Sequence, residues 1–170
     1  MPEATGCKDS LVRNRTISAI AIILVSAAFV SGCGETEADT PSGCLDGAAS
    51  FASSLRQAPG PVLLGGTTSI SDCLVRDQRE GDLVNFGEIA VKVANETGSR
   101  LSQPGAEGIK AAIDAGYLVG AMESGAEGSG GIHTTLVERV RSAATTDLSQ
   151  ASDSVKGHYE AGLEAGREVG

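Results

Sequence analysis

The residues with the most specific chemistry in this sequence are its four cysteines, which are Cys7, Cys33, Cys44 and Cys73. A thiol can be acylated, oxidised to a disulfide or bound to a metal, and its neighbours decide among these outcomes. No two of the cysteines have the Cys-x-x-Cys spacing typical of redox pairs. The two histidines, His133 and His158, have no Cys or His at the spacing of metal ligands. We therefore predict no metal site.

Cys33 follows a segment with the features of an export signal. Arg13 and Arg15 precede an apolar run from Ile17 to Val30, and the small residues Ser31 and Gly32 come just before the cysteine. The apolar run has 14 residues, fewer than the roughly 20 that a membrane-spanning helix needs. This pattern predicts a cleaved signal peptide over residues 1–32.

The motif Val30-Ser31-Gly32-Cys33 resembles the lipobox of bacterial lipoproteins. The resemblance covers only the first fifth of the chain and says nothing about the domain that follows. It implies cleavage between Gly32 and Cys33, a diacylglycerol on the Cys33 thiol and an acylated new N-terminus. The protein would then be lipid-anchored in the cell envelope, on the extracytoplasmic side. The alternatives are an uncleaved anchor helix and an ordinary secreted protein.

Cleavage and acylation would leave only Cys44 and Cys73 as free thiols, in a compartment where disulfides form. We therefore predict a Cys44–Cys73 disulfide. Its loop of about 30 residues would add roughly 3–3.5 kcal/mol to the free energy of unfolding. A two-cysteine metal site lacks a nearby His or third thiolate, and a redox pair lacks the usual spacing.

The charge balance limits the partners of the mature chain. Of the 13 basic and 22 acidic residues in the whole chain, three and two lie in residues 1–32. The remaining 138 residues therefore carry 10 basic and 20 acidic groups, a net charge of −10. Such a chain should not bind nucleic acid by phosphate neutralisation. It should also be repelled by anionic headgroups, so we expect the lipid on Cys33 to hold it at the membrane.

No motif for catalysis is present in the sequence. There is no G-x-S-x-G elbow for a serine nucleophile. His158 and Glu160 are two residues apart and would point to different faces of a helix. Paired carboxylates carry no information in so acidic a chain. We therefore expect no catalytic residues, no cofactor and no enzyme activity.

The chain divides into the signal peptide (1–32), a flexible acidic tether (33–43) and a helical domain (44–170). Apolar residues at steps of three and four predict the helices. We expect them over residues 44–58, 69–103 with a break near Gly81, 104–123, and 134–169 as one continuous helix. Residues 62–64 are interpreted as an apolar linker, and 125–131 as a flexible glycine loop. The fold class is predicted to be all-α, a small antiparallel bundle of three or four helices with one disulfide.

The last predicted helix carries glycines at Gly162, Gly166 and Gly170. Their small face should pack on the first helix or on Gly116 and Gly120 of the third, or serve as a docking surface. The function we expect is a non-catalytic binding or scaffolding module for an envelope protein or the cell wall. One alternative is a carrier of a small apolar ligand in the bundle interior. The other is an envelope enzyme without a visible motif.

Overall fold

The computed structural model describes residues 37–170. The predicted signal peptide (residues 1–32), the motif that ends at Cys33 and the first residues of the predicted tether lie outside the described residues. Among residues 37–170, no helix is both long enough and apolar enough to cross a bilayer.

Helix accounts for 66% of the described residues and strand for 4%, which confirms the all-α class. This part of the chain forms five α-helices, where three or four were predicted. They are α1 (Ala48–Leu55), α2 (Glu80–Gly98), α3 (Ala106–Gly128), α4 (Thr134–Ala144) and α5 (Asp153–Val169).

The prediction of one continuous helix over residues 134–169 is wrong. Between α4 and α5 the chain forms a turn and a short 3₁₀ helix over Leu148–Gln150. Thr145 and Thr146 donate their hydroxyl protons to backbone carbonyls one turn earlier, and Ser152 then caps α5 by accepting from the Val155 N–H at 3.3 Å. These local bonds end one helix and start the next.

Residues 62–79 also differ from the prediction. Leu63–Leu64 (β1) pairs antiparallel with Thr68–Ser69 (β2), across a turn in which Gly65 and Gly66 have φ of 59° and 82°. The glycines permit this left-handed backbone, and the two strands close as a hairpin. Helix α2 consequently begins at Glu80 and not at Ser69. Helix α3 continues to Gly128, through much of the segment that was expected to be a loop.

The closest packing joins α3 to α5 along a surface of glycines. A side-chain carbon at Gly116 would overlap the Tyr159 carbonyl, and one at Gly120 would overlap the Leu163 carbonyl. Conversely, Gly162 lies on Ile113 and Gly166 on Tyr117. We call Gly116, Gly120, Gly162 and Gly166 the glycine seam. Of the three arrangements considered for the α5 glycines, the structure shows packing on the face of α3 that carries Gly116 and Gly120.

The contacts along the glycine seam advance in the same direction on both helices, from Ile113–Gly162 to Tyr117–Gly166. Helices α3 and α5 therefore run parallel, which differs from the antiparallel pairing predicted for neighbours. The break after α4 explains the difference, because α4 and residues 145–152 carry the chain back to the start of α3.

The interior is filled by side chains from all five helices. On α2 the residues at steps of three and four from Phe86, namely Ala90, Val93 and Thr97, are buried with it, and Thr97 is 2% exposed. The largest side chains under 2% exposed are Tyr117, Phe86, Leu55, Leu64, Ile70, Leu101, Leu118, Met122, Val62, Val93, Val119 and Val140.

Residues 38–40 are docked on the domain, in contrast to the flexible tether predicted over 33–43. The Ala38 N–H donates to the Asp77 carbonyl at 2.9 Å, and Gln78 Nε2 donates to Thr40 Oγ1 at 2.7 Å. Arg79 forms an ion pair with Asp39 at 2.6 Å. Any free length of tether therefore ends before Ala38.

Candidate functional site

The disulfide predicted between Cys44 and Cys73 is present. The two Cα atoms are 5.7 Å apart, and both residues are buried in the core. The bond joins the 3₁₀ turn before α1 to the 3₁₀ turn before α2. It is therefore a structural link between two short elements.

The two histidines occupy separate structural positions. His133 is buried at the start of α4, where its Nδ1 lies 2.8 Å from Ser129 Oγ, and burial lowers its pKa. His158 lies on α5, with its Nδ1 2.7 Å from the Ser154 carbonyl. Within residues 37–170, no three side chains of the metal-binding types come together.

The best candidate site is a groove where α3, α4 and α5 meet. Its volume is about 580 Å³, and it opens to solvent. Ten residues line it: Glu123, Arg141, Thr145, Leu148, Ser149, Lys156, Tyr159, Glu160, Leu163 and Arg167. We call this the α3–α5 groove. It combines an apolar floor with a few charged and hydroxyl groups, as small-ligand sites commonly do.

One carboxylate organises the cations of the groove. Glu123 is only 13% exposed in its side chain and pairs with two arginines, one on each oxygen. Its Oε1 binds Arg141, while its Oε2 accepts from both Nε and Nη2 of Arg167 at 2.7 Å. Each guanidinium carries five N–H donors, so both arginines keep donors that Glu123 does not use.

The glycine seam determines which α5 side chains reach the groove. Tyr159, Leu163 and Arg167 follow one another at steps of four, so they form one stripe on α5. Close parallel packing places the end of this stripe beside Glu123, near the end of α3. Arg141 and Arg167 both lie in the last turn of their helices, where a positive charge is favoured by the helix dipole.

Tyr159 supplies the polar group at the floor of the groove. It is 5% exposed, and burial is the main cause that raises its pKa to about 12. The phenol is therefore protonated at neutral pH and can donate a hydrogen bond. Leu148 and Leu163 provide apolar surface next to its ring.

A second ionic pair lies inside the domain, away from the groove. Asp114 is 2% exposed and pairs with Lys110, whose Nζ also lies 3.4 Å from the Ala58 carbonyl. Burial raises the pKa of Asp114, while the hydrogen bond and the charge of Lys110 act in the opposite direction. The pair ties α3 to the segment after α1, and we assign it a structural role.

A smaller surface groove of about 320 Å³ lies between α2 and the start of α4. Val84 and Ile132 are 55% and 61% exposed there. Its wall also carries Glu88 and Arg139, so charges of both signs border the two apolar side chains.

Sequence reasoning did not single out Glu123, Arg141 or Arg167. Glu123 is 18 residues from Arg141 and 44 from Arg167 along the chain. In a chain of 22 acidic and 13 basic residues, no single charged pair stands out. The only available indication was the spacing Tyr159-x₃-Leu163-x₃-Arg167, which places these three side chains on one stripe of a helix.

Comparison with known proteins gives no further assignment, because no protein-family model, curated protein or solved structure matches the chain.

Proposed function

We propose that this protein is a lipoprotein of the bacterial envelope, anchored by a diacylglycerol on Cys33, with a non-catalytic helical domain that binds an envelope protein or the cell wall. The α3–α5 groove is the binding surface. The observation that carries this proposal is the pair of arginines held by Glu123 above an apolar floor.

The anchor is supported by the segment before Cys33 and by the disulfide. Val30-Ser31-Gly32-Cys33 follows a basic start and a 14-residue apolar run. A buried Cys44–Cys73 bond fits a compartment outside the reducing cytosol. The five steps from Cys33 to the docked Ala38 span at most about 18 Å. The acylated protein would therefore hold its domain close to the bilayer surface.

The binding role is supported by where the open space lies. The core between the helices is filled by large side chains, and the α3–α5 groove is on the surface. A carrier with its ligand in the bundle interior has less support, because it would need an apolar cavity there. The groove combines the ion-paired side chains of Glu123, Arg141 and Arg167 with the phenol of Tyr159, an arrangement suited to recognition.

Metabolic labelling with palmitate tests the anchor. The native protein should incorporate label, and Cys33→Ala should abolish incorporation. Cys44→Ala with Cys73→Ala is the matched control, since it removes two thiols and should leave the label unchanged. Equal labelling of the Cys33→Ala variant would refute the anchor.

Crosslinking in intact cells tests the groove. A photoreactive residue at Ser149, on the groove wall, should give adducts that Arg141→Gln with Arg167→Gln removes. The same group at exposed Glu107, near the start of α3, is the control position. Identical adducts from both positions, or adducts at Ser149 that persist in the double variant, would exclude the groove as the binding surface.

A further inference from the structure

We infer that the α3–α5 groove recognises an anionic group, a phosphate or a carboxylate, carried on a short apolar body. This inference rests on the proposed binding role of the groove and adds the chemistry of its ligand. The shared feature is a charged head joined to an apolar segment. A lipid of the same membrane and a soluble amphiphile would both present it.

The charges of the groove favour an anion. Arg141, Lys156 and Arg167 are three of the ten basic residues in the chain after residue 32, and all three line this groove. Among the lining residues, the carboxylates of Glu123 and Glu160 leave an excess of one positive charge, and Asp153, outside the lining, lies 3.9 Å from Lys156 and offsets it, so that the groove is close to neutral. The same part of the chain carries a net charge of −10. An anion repelled by most of the surface is therefore favoured here.

The donors of the groove are ordered before a ligand arrives. Glu123 holds both guanidiniums and uses only part of their N–H groups. Guanidinium donors match the oxygens of phosphate and carboxylate, and a fixed arginine loses less conformational entropy on binding. Lys156 is 43% exposed in its side chain and pairs with Asp153 only at 3.9 Å, so it remains available to the ligand.

The apolar floor of the groove is the reason to expect an apolar part in the ligand. Leu148, Tyr159 and Leu163 line the same groove as the arginines and Lys156, and along α5 Tyr159 and Leu163 lie between Lys156 and Arg167. An apolar body on this floor would cover the Tyr159 ring and both leucines. The Tyr159 hydroxyl is protonated at neutral pH, as any phenol with the ordinary pKa of about 10 is, and burial raises its pKa further to about 12. It is therefore a donor for a ligand oxygen.

The chain provides an internal probe and an internal reference, because it contains only two tyrosines. Tyr159 lines the groove, whereas Tyr117 is 0% exposed in the core. Incorporation of fluorotyrosine into the acylated protein, held in phosphatidylcholine nanodiscs, should give two ¹⁹F resonances. Phenyl phosphate is a water-soluble probe that carries both an anionic group and an apolar ring. Inorganic phosphate carries only the anionic group, and phenyl glucoside carries the apolar ring without a charge.

Phenyl phosphate should shift the Tyr159 resonance in a saturable manner and leave the Tyr117 resonance in place. Inorganic phosphate and phenyl glucoside should bind at least about tenfold more weakly, because each lacks one of the two contacts. The double variant Arg141→Gln with Arg167→Gln should also weaken the binding of phenyl phosphate by at least about tenfold. Arg139→Gln, on the same helix but in the other groove, should change affinity less than about twofold.

Nanodiscs with a fifth of phosphatidylglycerol distinguish the two sources of the ligand. Loss of phenyl phosphate binding in these discs would assign the groove to a lipid headgroup, and unchanged binding would assign it to a soluble amphiphile.

The inference is overturned if neither resonance moves up to about 10 mM phenyl phosphate, a very weak affinity. Equal shifts with phenyl glucoside, or equal losses in Arg139→Gln, would overturn it too. An unshifted Tyr117 resonance shows that each variant is folded. Groove-dependent adducts from Ser149 would still support the binding role if this ligand class failed.

Discussion

The glycine seam and the N-terminal subregion, residues 38–79, are stabilised in opposite ways. Along the seam, two long helices touch backbone to backbone, with no covalent link between them. The N-terminal subregion contains an eight-residue helix, two strands of two residues and two 3₁₀ turns. Its elements are joined by the Cys44–Cys73 disulfide.

The difference shows how a chain with 3% aromatic residues and no Trp becomes stable. Where two helices are long, glycines allow an extensive close contact that needs no large side chains. Where elements are short, buried side chains such as Leu55, Leu64 and Ile70 are supplemented by a covalent bond, which limits the freedom of the unfolded chain. The seam also places the groove residues, while the subregion includes residues 38–40, which are docked on Asp77 and Gln78.

The largest expected effect is on the N-terminal subregion. Replacement of Cys44 and Cys73 by alanine should lower the free energy of unfolding by about 3.5 kcal/mol, because the unfolded chain gains the freedom of a loop of about 30 residues. Urea unfolding measures this loss. Amide hydrogen exchange should accelerate in residues 38–79 before it does in α3 and α5. Earlier exchange in α3 would mean that the two regions are not stabilised separately.

A single methyl group should disrupt the seam. Gly116→Ala would place a carbon against the Tyr159 carbonyl, and the helices would have to separate. We expect a loss of about 2–3 kcal/mol in unfolding free energy. Gly157→Ala is the matched control on α5, since a side-chain carbon there meets nothing within 4 Å. It should stabilise the protein by up to about 1 kcal/mol. Similar losses in both variants would show that the seam is not tightly packed.

Tyr117 connects the two regions, and its hydroxyl should contribute about 1–2 kcal/mol to the free energy of unfolding. It accepts from the Val62 N–H at 3.1 Å and donates to the Val169 carbonyl at 3.3 Å. Tyr117→Phe would leave the buried N–H without a partner. Tyr159→Phe is the control and should change unfolding free energy by less than about 0.5 kcal/mol. A larger cost for Tyr159→Phe would contradict the contacts described for both tyrosines.

The smallest effect concerns Asp114, at the junction of the two regions. Burial raises its pKa, so the folded protein keeps this proton to a higher pH than the unfolded chain does. The contribution of Asp114 to the free energy of unfolding therefore falls as the pH rises from about 3.9, its pKa in the unfolded chain, to its higher pKa in the folded protein. Asp114→Asn removes the titration and should differ from the native protein by less than about 1 kcal/mol at pH 7. Denaturant unfolding from pH 3 to 7 should show the native protein losing stability relative to the variant. A relative gain would mean that Lys110 outweighs burial.

The parts of the fold that depend on local patterns could be predicted from the sequence. The α2 stripe from Phe86 to Leu101 repeats at helical spacing, and the structure buries it. Helix α5 was predicted as a continuation of α4, because the apolar steps stay in phase from Ala144 to Val155. Hydrogen bonds of Thr145, Thr146 and Ser152 to the backbone break the helix there. Periodicity does not detect such bonds.

Features that depend on contacts between residues far apart in the chain were harder to predict from the sequence. Glycines at every fourth residue indicate close packing but are equally compatible with parallel and antiparallel helices. The direction of α5 depended on the unpredicted break after α4. The groove then depends on that direction, because Arg167 meets Glu123 only when α5 runs parallel to α3. The docking of Ala38 on Asp77 is a backbone contact and leaves no side-chain pattern.

We propose that an acylated Cys33 presents this domain, which the Cys44–Cys73 disulfide closes, at a membrane. The most direct test is the intact mass of the protein purified from its own membranes, with thiol alkylation before and after reduction. We predict the mass of residues 33–170 plus a diacylglycerol, with two thiols that react only after reduction. An unacylated mass of residues 1–170 with thiols that react without reduction would contradict the claim.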